Sequence, residues 1–374
     1  MENKEKKIIV AGHISCDITP SFYPTRGKSL GSLLKPGKLI HIGKAVIANG
    51  GCVNNTGMAL HKFGADVTLM AKIGADDFGR NIRERCEIRG AKTKLLVSKD
   101  TASSYTIVMA PPGFDRTFLH FAGANDDFTP DDLDFAEIAK ADYFHFGYPT
   151  VMKGFYREEG KALTTLYQRI KELGLVTSLD VAGIDLDTEP GQVNWLEILK
   201  RTLPYVDIFV PSFEELLCML DRPAYEKRLA EAGEEDMCMN LSLSKDILPL
   251  AKSAMELGCR ILLLKCGAAG MYLQTAQDFH GTLGLDAAWQ GVSYFQKSFC
   301  PDRIASAIGA GDTAIGAFLY GVSHGLSWKE SLEIAAATGA SCITEYDTYS
   351  GLLSIPELMK KIKGGWELQD FIKE

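Results

Sequence analysis

The segment AIGAGDTAIGAF, residues 307–318, contains a single carboxylate, Asp312, directly after three small residues. Apolar side chains at Ile315 and Phe318 lie on one face of a predicted helix, which places Gly309–Gly311 at its N-terminus. Unpaired N–H groups and the helix dipole attract anions there, and small residues let an anion reach the backbone. Asp312 could therefore accept a proton from a hydroxyl group while the N–H groups stabilise a transferred phosphoryl group. A helix cap beside closely packed glycines explains the segment equally well.

Two further motifs could bind a small polar ligand. Gly50 and Gly51 open a helical pattern that stops at Gly64, and Asn55 lies one turn into that helix. Asp17 follows the first predicted strand, where its carboxylate could accept hydrogen bonds from sugar hydroxyl groups. A local role, as an N-terminal cap region or as a turn-forming aspartate, is the simpler alternative for each motif.

A third glycine motif, KCGAAG at 265–270, follows a strongly apolar segment. It could pass beneath a nucleotide, or it could be an ordinary hairpin turn. The sequence has no P-loop, because Gly27-Lys28-Ser29 lacks the upstream glycine, and no GxGxxG pattern follows the first predicted strand. P-loop kinases and dinucleotide-binding oxidoreductases are therefore disfavoured.

Composition and charge are typical of a globular protein that binds neither nucleic acid nor membranes. The 374 residues are 46% hydrophobic and 24% charged, and the formal net charge is −8, which argues against a nucleic-acid backbone as partner. The first apolar run, at 8–11, is too short for a signal peptide, and no apolar stretch could span a bilayer. Nine cysteines and seven histidines are dispersed, which favours free thiols over disulfides or a zinc site. We therefore expect a cytoplasmic protein.

The order of predicted elements indicates a doubly wound α/β fold. Segments with strand patterns alternate with helical segments, the strands being 8–11, 65–74, 141–147, 175–182, 206–212 and 260–267. A hairpin pattern at 103–122 predicts a second, smaller sheet. We expect one domain over residues 1–374, with a mostly parallel sheet flanked by helices and a small β-sheet lid from segments near 12–50 and 92–125. Residues 231–245 are predicted to be a loop insertion.

Three stretches in this order resemble the ribokinase-like, or PfkB-type, carbohydrate kinases. They are GHISCD at 12–17, GGCVNNTGMALHKFGADVTLMAKIGADDFG at 50–79 and IGAGDTAIGAFLYG at 308–321. They correspond to the first substrate loop and to the two signature segments of that family, and the resemblance extends over most of the chain. It implies the ribokinase-like fold and the ATP-dependent phosphorylation of a hydroxymethyl group on a sugar or similar small alcohol.

The resemblance implies a role for each motif residue. Asp312 corresponds to the base that takes the proton from the attacking hydroxyl group. The anion hole corresponds to the backbone N–H groups of Gly309, Ala310, Gly311 and Asp312. The residues that hold the sugar hydroxyl groups correspond to Asp17, Gly50, Gly51 and Asn55.

ATP and Mg²⁺ are the cofactors that the resemblance implies. The family's N-x-x-E motif aligns with residues 212–215, so that Glu215 carries the magnesium role and Ser212 replaces the asparagine. The nucleotide loop of the family corresponds to Lys265, Gly267 and Gly270, which act with Gly311. The small sheet resembles the family's lid, which closes over the sugar, excludes water and mediates dimerisation. A homodimer through the lid is therefore expected.

Besides Ser212, the sequence departs from the family in three segments. Ser306 and Ala307 replace an Asp-Thr pair whose aspartate binds an activating monovalent cation, so potassium activation is not expected. Cys52 replaces a lysine that ribokinases often have after the two glycines, and the loop at Gly147 lacks a carboxylate that ribokinases use for the sugar. Ribose is therefore less favoured as the substrate than it would be for a close relative of ribokinase.

Two other functions remain open at this point. A nucleoside kinase of the same fold could stack a base on aromatic lid residues such as Tyr105, Phe114 and Phe118, although core packing also explains aromatic residues there. A sugar-binding regulatory protein without catalysis is a second alternative, against which the intact Gly309–Asp312 segment argues.

Overall fold

A nine-stranded sheet forms the centre of the computed structural model, which describes residues 6–23, 36–37, 39–111, 117–233, 236–278 and 283–373. In spatial order its strands are β13 (Ser293–Lys297), β12 (Gly270–Thr275), β11 (Ile261–Lys265), β10 (Ile208–Phe209), β9 (Val176–Asp180), β8 (Tyr143–Gly147), β1 (Lys7–Gly12), β4 (Asp66–Gly74) and β5 (Lys92–Ser98). The pairs from β5 to β11 are parallel, and β12 and β13 are antiparallel. The predicted mostly parallel sheet is confirmed.

Helices cover both faces of this sheet and bury it between two apolar cores. They are α1 (Gly51–Lys62), α2 (Asp77–Ile88), α3 (Phe135–Ile138), α4 (Lys153–Glu172), α5 (Trp195–Thr202), α6 (Phe213–Leu220), α7 (Arg222–Ala232), α8 (Leu248–Glu256), α9 (Ala310–Ser323), α10 (Trp328–Cys342) and α11 (Ile355–Lys363). Side chains of β1 alternate between the cores, with Val10 against α1 and α9 and Ile9 against α4. The carboxyl ends of the parallel strands therefore meet at one edge, between two layers of helices.

A second sheet of four strands lies beside the first in the described part of the chain. Its spatial order is β3 (Ala45–Gly50), β2 (Ser15–Pro20), β6 (Tyr105–Met109) and β7 (Thr117–Phe121). The pair of β2 and β6 is parallel and the other two pairs are antiparallel. The β6–β7 pair is the predicted hairpin, whose turn falls outside the described residues.

Strand β5 belongs to the large sheet, although residues near 92–125 were predicted to form part of the lid. It follows α2 after a short turn and pairs in parallel with β4, from Thr68 opposite Lys92 to Gly74 opposite Ser98. The β4–α2–β5 segment is thus one more parallel crossover unit of the large sheet.

The antiparallel edge and the helix α7 do not appear among the predicted elements. A three-residue helical turn joins β11 to β12, so the KCGAAG segment is a hairpin turn. Residues 231–245 were predicted to be a loop insertion. The segment instead begins with the end of α7 and ends within a helical turn at Leu243–Ile247. No helix in the described ranges combines the length and the apolar character that a bilayer span requires.

Candidate active site

The N-terminus of α9 lies at the edge of the large sheet where the parallel strands end. Gly309 precedes the helix with a φ of 68°, a left-handed conformation that glycine adopts readily. A β-carbon at this position would lie 2.3 Å from Cγ2 of Thr348 and 3.2 Å from Nδ2 of Asn55. Only glycine fits there, and the backbone N–H groups of the first helical turn remain uncovered by a side-chain cap.

The carboxylate of Asp312 is buried and accepts two hydrogen bonds from other parts of the fold. Asn55 donates through Nδ2 to Oδ2 at 2.8 Å, and the Tyr148 hydroxyl donates to Oδ1 at 2.6 Å. Thr348 and Asn54 in turn donate to Oδ1 of Asn55, which fixes the orientation of its amide. The side chain of Asp312 makes no bond to the end of its own helix, so the cap interpretation of this residue is wrong.

Tyr148 is a hydrogen-bond donor to Asp312 under all ordinary conditions. Burial, followed by the charges of Asp312 and Asp180, raises the pKa of its hydroxyl well above the usual value. Its backbone adopts a left-handed conformation with a φ of 69° directly after β8, which turns the ring toward α9. Cys52 packs beneath the same turn, with Sγ 2.4 Å from where a β-carbon of Gly147 would lie.

Gly50, at the end of β3, and Gly51, the first residue of α1, each make room for a polar side chain from residues 12–17. A β-carbon on Gly50 would lie 2.0 Å from Oδ2 of Asp17, and one on Gly51 would lie 2.6 Å from Nδ1 of His13. Gly51 also has a φ of 82°. Close approach therefore favours glycine at both positions, and the left-handed backbone favours it additionally at Gly51.

Asp17 lies inside β2, so its interpretation as a turn-forming residue is wrong. The Ser15 hydroxyl donates to its Oδ1 at 2.7 Å. Burial raises the pKa of the Asp17 carboxyl, hydrogen bonds from Ser15 and Thr106 act in the opposite direction, and the charge of Asp312 raises it further. The carboxylates of Asp17 and Asp312 are thus close enough for their charges to interact.

Lys265 lies beside the first turn of α9 and is influenced by several carboxylates. Nζ of Lys265 donates to Oδ1 of the fully buried Asp180 at 2.8 Å. The same ammonium lies 3.9 Å from the β-carbon position of Gly311, so the ion pair adjoins the first turn of α9. Burial raises the pKa of Asp180, while Lys265 lowers it and the charges of Asp312 and Glu215 raise it. Burial lowers the pKa of Lys265, but Asp180 and Glu215 outweigh that effect, and the net shift is upward.

Ser212 and Glu215 form a capping box at the start of α6. The Ser212 hydroxyl accepts from the Glu215 N–H at 3.2 Å, and Oε2 of Glu215 accepts from the Ser212 N–H at 2.7 Å. Burial raises the pKa of Glu215, and Lys265 opposes that shift. The pair therefore has a structural role in addition to any role toward a ligand.

The glycines of the 266–270 turn have different surroundings. Gly270 has a φ of 133°, and a β-carbon there would lie 2.0 Å from the carbonyl oxygen of Gln296 on β13. Gly270 is thus needed for strand packing. Gly267 has a φ of 54°, and a β-carbon there would lie 3.2 Å from Oδ2 of Asp236 and 3.3 Å from Cβ of Cys238. Part of the 231–245 segment therefore lies against the predicted nucleotide loop.

Three residues of this region were not identified from the sequence. Tyr148 directly follows β8, Asp180 is the last residue of β9, and His13 lies inside the GHISCD segment. The carboxyl ends of parallel strands indicate which loops form a site, but not which side chain points into it. Of the aromatic residues considered for base stacking, Tyr105 packs on Phe121 and Phe78, and Phe118 is half-exposed. Phe114 lies outside the described residues.

Comparison with known proteins adds an independent line of evidence. The family described as pfkB family carbohydrate kinase matches residues 25–355. An uncharacterized sugar kinase from Archaeoglobus fulgidus is 23% identical over 295 residues, which cover 79% of this chain and 98% of that protein. The 2-dehydro-3-deoxygluconokinase of Thermoproteus tenax is 23% identical over 282 residues, which cover 74% of each chain.

Solved structures confirm the fold. Arabidopsis thaliana ribokinase, in a structure complexed with ribose and ATP, matches with a TM-score of 0.70 at 19% identity. The match covers 96% of this chain and 99% of that one, so the small sheet and the antiparallel edge belong to one shared architecture.

Proposed function

Because this chain belongs to the pfkB family of carbohydrate kinases and is an ATP-dependent kinase, we propose that it transfers a phosphoryl group from ATP to a hydroxymethyl group of a sugar or sugar-like small molecule. The observation that carries this proposal is the position of Asp312. Its buried carboxylate lies in the first turn of α9, beside uncovered backbone N–H groups, and its charge acts on Asp17.

Asp312 acts as the general base in this proposal. Both of its oxygens accept hydrogen bonds from neutral donors, Asn55 and Tyr148, which orient the carboxylate without neutralising its charge. A substrate hydroxyl that approaches the carboxylate gives up its proton as the oxygen attacks the γ-phosphorus of ATP. Asp17, Gly50, Gly51 and Asn55 hold the remaining hydroxyl groups of the substrate.

The first turn of α9 serves as the anion hole for the transferred phosphoryl group. Its N–H groups come from Gly309, Ala310, Gly311 and Asp312, and the positive end of the helix dipole adds to them. Lys265 adjoins this turn and brings a full positive charge to the phosphates. The Gly267 and Gly270 turn forms the floor of the nucleotide site.

The charges around Lys265 are suited to Mg²⁺. Among the described residues, the carboxylates of Asp180, Glu215 and Asp312 all act on this single ammonium, and Oδ2 of the buried Asp180 has no hydrogen-bond partner. This surplus of oxygen ligands and negative charge fits a hard divalent cation. Glu215 would hold the ion with the help of the Ser212 cap, and bound Mg²⁺ would neutralise charge on the phosphate oxygens. The proposal includes no potassium site, because Ser306 and Ala307 offer no carboxylate.

The test of this function is a substrate panel. Neutral sugars, polyols, sugar acids and nucleosides are each incubated with ATP and Mg²⁺, and ADP release is measured. We expect turnover with at least one sugar or polyol and slower turnover with nucleosides. Preferred turnover of a nucleoside would favour the second kinase class, and binding without turnover for every compound would favour a regulatory protein.

We also propose a homodimer through the small sheet. Five large apolar side chains of β3 and β7 are at least two-fifths exposed, namely Val46, Ile47, Phe118, Leu119 and Phe121. Exposed apolar side chains on both edge strands of one small sheet suit a protein contact. Leu119→Glu should convert a dimer to a monomer in sedimentation velocity, whereas Leu173→Glu, a comparably exposed leucine after α4, should not. A monomeric parent protein would refute the proposal.

A further inference from the structure

His13 is a buried histidine whose side chain has no hydrogen-bond partner among the described residues. Its exposed fraction is 4%, and both Nδ1 and Nε2 are unpaired. His145 in β8 is equally buried, but its Nδ1 bonds the Ser178 hydroxyl at 3.0 Å. A buried polar group without a partner lowers the stability of the fold, so an unpaired imidazole calls for a compensating role.

The surroundings of His13 place its ring in the proposed substrate pocket. The backbone is fixed, because its N–H donates to the Gly147 carbonyl at 3.2 Å and its carbonyl accepts from the Val53 N–H at 3.1 Å. The ring lies between Tyr148, at 5.9 Å between centroids, and His120 of β7, at 5.2 Å. Tyr148 bonds Asp312 directly, so one side chain separates His13 from the proposed base.

His13 and Asp17 are held in the same way. Each enters the space that the absent β-carbon of one glycine leaves, Gly51 for His13 and Gly50 for Asp17. Nδ1 of His13 faces the Gly50–Gly51 turn, where the substrate hydroxyl groups are proposed to bind. The paired glycines therefore admit two polar side chains to one pocket, and only one of these is accounted for by the proposed function.

The chemistry of this pocket suits an uncharged ligand. Burial, with a smaller effect from His120, lowers the pKa of His13 to about 3, so the ring is neutral and offers one donor and one acceptor. A hydroxyl group can accept from the protonated ring nitrogen or donate to the other one. The charged groups that act on one another across the pocket, Asp17 and Asp312, are both carboxylates. A negatively charged group on the substrate would be repelled by both carboxylates.

We propose that His13 is a substrate-binding residue and that, together with Asp17, it selects an uncharged polyhydroxy compound over a sugar acid. This inference rests on the proposed function, because it assigns the substrate class of the same pocket. His13 contributes hydrogen bonds to substrate hydroxyl groups and takes no part in the proton transfer to Asp312.

The test compares neutral sugars and polyols with aldonic acids of the same chain length, for the wild type and for His13→Phe and His13→Asn. We expect the wild type to prefer the neutral member of each pair by at least about tenfold in kcat/KM. His13→Phe should raise KM for the neutral substrate about 10- to 100-fold with a much smaller change in kcat and in the KM for ATP. His13→Asn, which keeps a donor and an acceptor, should recover part of the loss.

The matched control is His145→Phe, which removes another buried imidazole without touching the pocket. It should change thermal stability but not the KM for the sugar. An unchanged KM in His13→Phe, or a wild type that prefers the acids, would overturn the inference while the proposed function stands. If the wild type turns over no compound, the proposed function fails, and calorimetry of the neutral polyols on the wild type and His13→Phe still decides the inference. Equal binding by both proteins, or no binding, overturns it.

Discussion

Replacement of Asp312 by asparagine is expected to lower kcat by about 10²- to 10⁴-fold, the range that loss of a general base produces. The binding of sugar and ATP should change little, because asparagine has the same shape. The new amide can accept from Asn55 through its oxygen and donate to the Tyr148 hydroxyl, which is free to rotate, so both contacts of the wild type survive. Only the capacity to take a proton is lost.

The measurement is single-turnover phosphoryl transfer, with calorimetry for the two ligands. Asp302→Asn is a suitable control, because Asp302 is an exposed aspartate whose carboxylate pairs with Lys361 far from the pocket. That variant should retain wild-type turnover. A kcat for Asp312→Asn within about tenfold of the wild type would contradict the assignment of the base.

Lys265→Met is expected to have the largest effect on stability. Breaking a buried ion pair leaves the other charge uncompensated, which costs about 3–5 kcal/mol. Asp180 has no exposed surface and only one of its oxygens is paired, so no solvent can replace the lysine. The double variant with Asp180→Asn should recover much of the free energy of unfolding and none of the affinity for ATP, since the positive charge beside α9 is still missing.

The loss of stability in Lys265→Met should depend on pH in a defined direction. Burial raises the pKa of Asp180 above its unfolded value of about 4, and the charge of Lys265 opposes that shift. A group with a raised folded pKa adds stability that is fully present at low pH and is lost as pH rises through the folded pKa. Without Lys265 the folded pKa of Asp180 rises further. The difference in free energy of unfolding between Lys265→Met and the wild type should therefore narrow as pH falls.

Urea unfolding at several pH values measures this gap. Lys297→Met serves as the matched control, because Lys297 pairs with the exposed Asp370 at the edge of β13 and should matter little. An equal loss of stability in both lysine variants, or a gap that widens in acid, would rule out the buried pair as its cause.

The sequence was informative where one segment determines its own geometry. The glycines before Asp312 predicted a helix N-terminus, and α9 begins at Ala310. The sequence was uninformative about the contacts that such a segment makes with other strands. Tyr148 reaches Asp312 only because β8 and α9 are neighbours in space, and no local pattern marks that tyrosine. Strand β5 was assigned to the wrong sheet for the same reason, since no local pattern identifies the strand with which it pairs.

The interpretation of residues 212–215 illustrates a different limit. The family resemblance assigns Glu215 to Mg²⁺, whereas the capping-box spacing predicts a helix start, and the structure contains the capping box. One carboxylate can do both, because a cap uses one oxygen and leaves the other. A sequence pattern indicates which residue type a site needs. It does not show how many hydrogen bonds that residue already makes within the protein.

The hydrogen bonds around Asn55 have a consequence for the order of folding. Asn55 bonds Asp312 across 257 residues of chain and Thr348 across 293. Contacts of such separation form late, because closing a long loop must precede them. A chain that has folded its first crossover units but has not yet docked its C-terminal helices would bury much of its core and have no aligned carboxylate. We therefore expect recovery of catalytic activity during refolding to lag behind the return of secondary structure.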